Sequence, residues 1–196
     1  HNIGDKKRYN ANIPQMLKAA EWDIVTIQQV SHMSFKPETY EPYTTKILET
    51  IRKACPRAQI FFQQTWAYTT VGNRIQSVGA VSQELMYENL TKAYKGASQA
   101  HGLDIIPTGL AVQLARKALN VKVPEVPQKE RAKFVYPDTP NVGNDIVGKF
   151  YWGKSKKDPD KKVLHCDEIH LNQKGEYLQA CTWLKYFCPE VDIVNL

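Results

Sequence analysis

The alternation of short β-rich runs with longer helix-patterned segments does most to limit what this chain can fold into. "WDIVTIQ" (22–28), "AQIFFQQTW" (58–66) and "LDIIPTG" (103–109) are strand-sized and rich in Ile, Val, Phe and Thr. Between the first two, residues 40–55 put Tyr43, Ile47, Leu48 and Ile51 on one helical face. Residues 81–101 repeat the pattern with Val81, Leu85, Leu90 and Tyr94, and 110–119 add a further helix. A last helix over 173–188 carries a stripe of Tyr177, Cys181, Leu184 and Cys188. Strands alternating with helices of this length predict βαβ units with right-handed crossovers. The expected fold is α/β: a three-layer α/β/α domain around a parallel sheet. In such sheets ligands sit outside the carboxyl ends of the strands. The positions to inspect are therefore Gln28, Gln29 and Ser31, then Thr65, Trp66 and Tyr68, then Thr108 and Gly109.

At 196 residues the chain is expected to form one domain, 1–196, with an irregular basic insertion at about 120–163. That insertion is rich in proline and lysine, and within it residues 148–163 are patterned as a hairpin turning at "KKDPDKK". The charge concentrates there: Lys117 to Lys162 hold eleven Lys and Arg against six Asp and Glu, out of a net +6 for the whole chain. Such a patch attracts anions. No recognition helix, zinc spacing or RNA-binding signature accompanies it, so no nucleic-acid partner is expected. No apolar run approaches the length of a membrane span. Cys181 and Cys188 would stand about 10 Å apart along one helix, too far for a disulfide. Pairings with Cys55 and Cys166 stay open. The compartment stays open as well, with a secreted or periplasmic setting the favoured expectation.

The chemistry concentrates in "CDEIHLNQKGEYL" (166–178). Asp167 and His170 are three residues apart just before the last helix. A turn there can fold the carboxylate against the imidazole Nδ1 and leave Nε2 facing outward, as a hydrolytic base and its orienting group require. The plain alternative is a helix cap and a surface histidine. His165 raises the thought of a metal cluster, but no third ligand accompanies it, so no metal is expected.

"DEIHLNQKGEYLQACTW" resembles the closing block of the SGNH (GDSL-type) esterase superfamily. With "WDIVTIQQVS" (22–31), "QQTWAY" (63–68) and "DIIPTGLAVQLAR" (104–116), it is similar to one branch of those hydrolases without an assigned activity. The resemblance runs from about Trp22 to Phe187. It implies an SGNH, flavodoxin-like sheet and an ester hydrolase with a Ser-His-Asp triad, plausibly acting on an acylated carbohydrate and needing no cofactor. His170 would be the general base and Asp167 its orienting partner. The family's nucleophile block, which lies after the first strand, has no counterpart in these residues. The expectation is a sheet lacking its first strand or strands, with the serine on a cleaved or separate N-terminal segment docking beside "DIVTIQ". A longer parent chain and a chain that has lost its nucleophile are the alternatives. Ser31 is the in-chain substitute, although a loop hydroxyl is its plainer role. Gln29, then Gln28, would replace the family's oxyanion-hole asparagine, or else bond loop backbone. Trp66 and Tyr68 would form an acyl or sugar wall, unless they are core. The rival reading is a non-catalytic glycan- or protein-binding module on the same fold.

Overall fold

The structure, a computed structural model, describes residues 11–193. A short helix α1 (Ile13–Leu17) opens them, closed by a reciprocal cap between Asn12 and Gln15. Strand β1 (Ile24–Ile27), helix α2 (Tyr43–Ala54) and strand β2 (Gln59–Gln63) come next. After them lie α3 (Arg74–Ser77), α4 (Gln83–His101), β3 (Asp104–Ile106) and α5 (Thr108–Ala118). A short α6 (Gln128–Arg131) leads to a hairpin, β4 (Val147–Lys154) and β5 (Lys162–Leu171), and α7 (Gln173–Phe187) ends the order.

The three predicted strands form one parallel sheet in the order β1-β2-β3, with Thr26 beside Phe61 and Phe61 beside Asp104. Alternation along β2 separates the two faces. Ile60 and Phe62 face α2 and α4, in clusters with Leu48, Leu90 and Tyr94 on one side and Leu17 and Ile51 on the other. Phe61 faces the opposite way and meets Tyr186 and Phe187 of α7 edge-on, at 5.8 and 5.2 Å between ring centroids. This is the three-layer arrangement that the alternation implies.

Two helical stripes differ from their expected phase. Ser82 caps α4 by accepting the Leu85 N–H, so the helix starts at Gln83. Its buried stripe is then Met86, Leu90, Ala93 and Tyr94, while Val81 and Leu85 are exposed. In α7, Tyr177 points to solvent, and Trp183, Tyr186 and Phe187 form the aromatic cluster instead. Cys181 and Cys188 both lie at α7 without bonding each other, and all four cysteines are free.

The expected hairpin exists, but β5 runs beyond it through Asp167 and His170. The Asp-His segment therefore ends an antiparallel strand that lies outside the parallel sheet.

Candidate active site

His170 Nδ1 lies 2.8 Å from Asp167 Oδ2, while Asp167 Oδ1 accepts the backbone N–H groups of Ile169 (2.9 Å) and His170 (3.0 Å). The carboxylate folds its own turn and grips the ring with the same group. Burial pushes its pKa up, but the bonds from His170 and Ile169 outweigh that and hold it below the ordinary carboxylate value. Asp167 is thus ionised at neutral pH and fixes the proton of a neutral imidazole on Nδ1. The His170 side chain is 74% exposed against 16% for Asp167, and among the described residues nothing hydrogen-bonds its Nε2. One nitrogen is held and the other faces outward.

The surrounding chain pins this turn from several sides. Segment 64–69, leaving the carboxyl end of β2, passes beneath it: Trp66 Nε1 donates to Ile169 O (2.8 Å) and Thr69 N to Glu168 O (3.2 Å). Glu168 turns away and accepts the Arg74 N–H at 2.7 Å. Its carboxylate fills the space a side chain on Gly72 would need. Behind the turn, Arg116 of α5 makes a bidentate pair with Asp145, at 3.0 Å on both oxygens, and donates to Ala67 O and Tyr68 O. Both partners are buried, and Asp145 Oδ1 also accepts the N–H groups of Ile146 and Val147. Asn172 completes the base: it caps α7 through Gly175 N and donates Nδ2 to Asp145 O and Gly148 O. These bonds tie β2, α5, the hairpin base and the last helix to one turn.

The remaining sequence candidates fall elsewhere. Gln29 commits both ends of its amide to its own loop, with Nε2 donating to Thr39 O (2.9 Å) and Thr39 Oγ1 (3.2 Å) and Oε1 accepting from Val30 N (2.8 Å). That leaves no spare donor for an oxyanion, a correction to the first choice made from sequence. Gln28 is exposed at the end of β1 and makes no side-chain hydrogen bond among the described residues. Tyr68 is fully buried in the main core, where its hydroxyl bonds Ser31 Oγ at 2.9 Å. A ring with no exposure cannot form a pocket wall, so Tyr68 is core. Ser31 sits on Tyr68, and no hydrogen bond joins it to His170 among the described residues. Trp66 is half-buried, and its indole N–H is spent on the Asp-His turn, so it supports the site from below. Burial pushes the nearby Cys166 thiol up to about 11, which keeps it protonated and a poor nucleophile near neutral pH. No group of three His, Cys, Asp or Glu residues among those described could hold a metal ion.

The side of the sheet beyond β1 differs. Among the described residues β1 pairs only with β2, and Trp22 and Ile24 are each about 40% exposed. Beside it runs an apolar groove of about 630 Å³, lined by residues including Met16, Val25, Ile27, Tyr43 and Ile47 and reaching Gln28 and Gln29.

Residues 3–126 match the model of DUF4886, a domain of unknown function. The chain belongs to the DUF4886 family. A DUF4886 protein from Bacteroides uniformis, known from a crystal structure, is similar at TM-score 0.61 and 23% identity over 90% of this chain. This chain spans about half of that protein's length (54%). A protein from Slackia heliotrinireducens, described as "a putative SGNH hydrolase", is similar at TM-score 0.53 and 16% identity, over 87% of this chain and 68% of its own. The fold of this DUF4886 chain is thus SGNH-hydrolase-like. No curated protein matches it.

The DUF4886 match ends before the hairpin, so Asp167, His170 and Asn172 lie outside it while Trp66 and Arg116 lie within. Arg116 went unassigned in the sequence reading, yet its signal was present. With Val112, Ala115 and Leu119 it shares the 3-4-7 spacing of one helix face, and an arginine on a buried face needs a partner. Nothing short-range points from Arg116 to Asp145, 29 residues away.

Proposed function

We propose that this chain supplies the base half of an SGNH-type serine ester hydrolase, with the nucleophilic serine carried by a strand that adds to the free edge of β1. The observation that carries the reading is the one-sided engagement of His170: Nδ1 held by an ionised Asp167, Nε2 exposed and without a partner among the described residues. The carboxylate that orients the ring is itself fixed by two backbone N–H groups. The chemistry comes from the geometry. As the serine Oγ attacks the ester carbonyl carbon, Nε2 takes its proton, and the resulting imidazolium is stabilised by Asp167. When the C–O bond to the alcohol breaks, Nε2–H returns that proton to the departing oxygen. Water then repeats both steps on the acyl-serine and releases the acid. Negative charge on the carbonyl oxygen needs a donor, and the uncommitted carboxamide of Gln28 at the carboxyl end of β1 is the candidate on this chain.

The serine's route is supported by the β1 side. A strand edge there offers backbone groups to an incoming strand, and the apolar groove alongside offers a seat for a helix attached to that strand. Hydrolysis of p-nitrophenyl acetate tests the reading. The 196 residues alone are expected to be silent, and activity is expected when the serine-bearing polypeptide is present, lost again in His170→Ala. Esterase activity of the chain alone, abolished by Ser31→Ala, would contradict it. An assembled protein that binds glycan and never turns over an ester would favour the non-catalytic module.

A further inference from the structure

The hairpin that ends in Asp167 and His170 has two unlike faces. Cross-strand partners in an antiparallel pair point to the same side. The register sets Lys149 against Asp167, Tyr151 against His165 and Gly153 against Val163 on one face. Phe150, Trp152, Leu164 and Cys166 take the other. That second face is occupied by packing: Arg131 lies over the Phe150 ring at 5.3 Å, and Trp152 meets Tyr136 and donates to Asp138 O.

The face bearing Asp167 is not occupied in this way. Tyr151 and His165 stack there, 5.1 Å between centroids and 21° from parallel, with Tyr151 exposed. Gly153 makes the stack possible, because a Cβ at that position would stand 2.9 Å from His165 Cδ2 and 3.0 Å from Nε2. The histidine ring occupies the space that a side chain at residue 153 would take. The pair sits two strand residues from the Lys149–Asp167 pair, roughly 7 Å along the hairpin. Lys149 is exposed on this same face, and the turn beyond adds Lys156, Lys157 and Lys161. Among the described residues none of these lysines has a carboxylate within ion-pair distance. Asp158 and Asp160 in the turn offset part of that charge, and the open face of the aromatic pair beside the remaining positive excess fits a ring that has an apolar face and an anionic substituent.

We infer that this face binds an acidic oligosaccharide, one sugar ring stacked on the exposed Tyr151 side of the aromatic pair and its carboxylate or sulfate met by Lys149 and the turn lysines. The inference rests on the proposed ester hydrolase for what lies next along the chain of sugars, an acylated unit facing His170. The binding itself needs neither the serine nor the histidine. Calorimetric titration of the full 196-residue chain with tetragalacturonic acid, a sulfated oligosaccharide of similar length and the neutral cellotetraose tests it. The acidic probes should bind at least about tenfold more tightly than cellotetraose, and weaken as salt screens the lysines. Comparison of the carboxylated with the sulfated probe identifies which anion is preferred. Tyr151→Ala and Gly153→Ala should each cost about tenfold in affinity. Equal affinity for cellotetraose, no binding of either acidic probe, or full binding retained in both Tyr151→Ala and Gly153→Ala would overturn the inference. Binding with this pattern in a protein that never cleaves esters would keep the subsite and reject the hydrolase reading.

Discussion

The two flanks of the Asp167–His170 turn are built to different standards. On the hairpin side the turn is held from several directions: Trp66, Thr69, Arg74, Asn172 and the buried Arg116–Asp145 pair all converge on a few residues. On the β1 side the strand edge is open among the described residues, Tyr43 is 69% exposed, and an apolar groove stands beside the sheet. An apolar groove next to a strand edge that is open among the described residues is costly to leave in water. This contrast is what the proposed division of the site rests on: a base held on this chain and a complement added at the open flank.

The largest expected effects fall on the finished flank. On the proposed hydrolase reading, His170→Ala should lower kcat of the assembled protein by about 10⁴-fold or more, and Asp167→Asn by about 10³-fold or more, because the amide cannot hold the imidazole in the required tautomer. Steady-state kinetics on a p-nitrophenyl ester reads both. Equal activity of wild type and Asp167→Asn would mean that the contact is only structural.

Arg116→Met comes next. It strands the Asp145 carboxylate in the core, a loss of about 3–5 kcal/mol, or roughly 10 °C in Tm for a domain of this size. The double variant Arg116→Met/Asp145→Leu should recover much of that loss, since an apolar pair replaces a buried charge pair at little net cost. Thermal melts of both variants decide whether the pair holds the hairpin base to the sheet.

A smaller effect concerns acid. Asp167 is held below its ordinary pKa of 3.8, so the folded chain binds that proton more weakly than the unfolded one. The resulting stability is complete above the ordinary value and is lost as pH falls through the lower folded value. Urea melts between about pH 5 and about pH 2 should show wild type losing stability more steeply than Asp167→Asn. Identical slopes would deny the carboxylate its role in the turn.

The smallest effect is expected on the open flank. Ile24→Lys changes a side chain already 40% exposed, so the isolated chain should shift by no more than about 0.5 kcal/mol. The same lysine at a strand edge should impede strand addition. Assembly lost without a change in Tm would place the docking edge at β1. Assembly unaffected would move it elsewhere.

How far the sequence carries differs between the two regions in the same physical terms. The sheet and its helices were legible because period-2 and period-3.6 apolar patterns are local, and each strand lies inside its predicted run. The phase of α4 was misread because Val81 precedes the Ser82 cap, and a hydrophobic residue one turn too early shifts the apparent stripe. The Asp167–His170 contact was legible because it is a turn three residues long. The partners of Gln29 were not, since Thr39 lies ten residues away in a loop without periodicity. Tyr68 read equally well as wall or core, and only its burial beneath the sheet's end decides for core. Long-range polar bonds such as Arg116 to Asp145 leave half a signal: the buried charge is visible in the helix pattern, but its partner is not.

The central claim is that these residues hold a finished base whose serine arrives from outside them, and covalent labelling tests it most directly. A fluorophosphonate probe should give no adduct on the 196-residue chain alone by intact-mass analysis. With the serine-bearing polypeptide present it should give one adduct, mapped by tandem mass spectrometry to a serine outside these residues and absent in His170→Ala. An adduct on Ser31 of the chain alone would contradict the account.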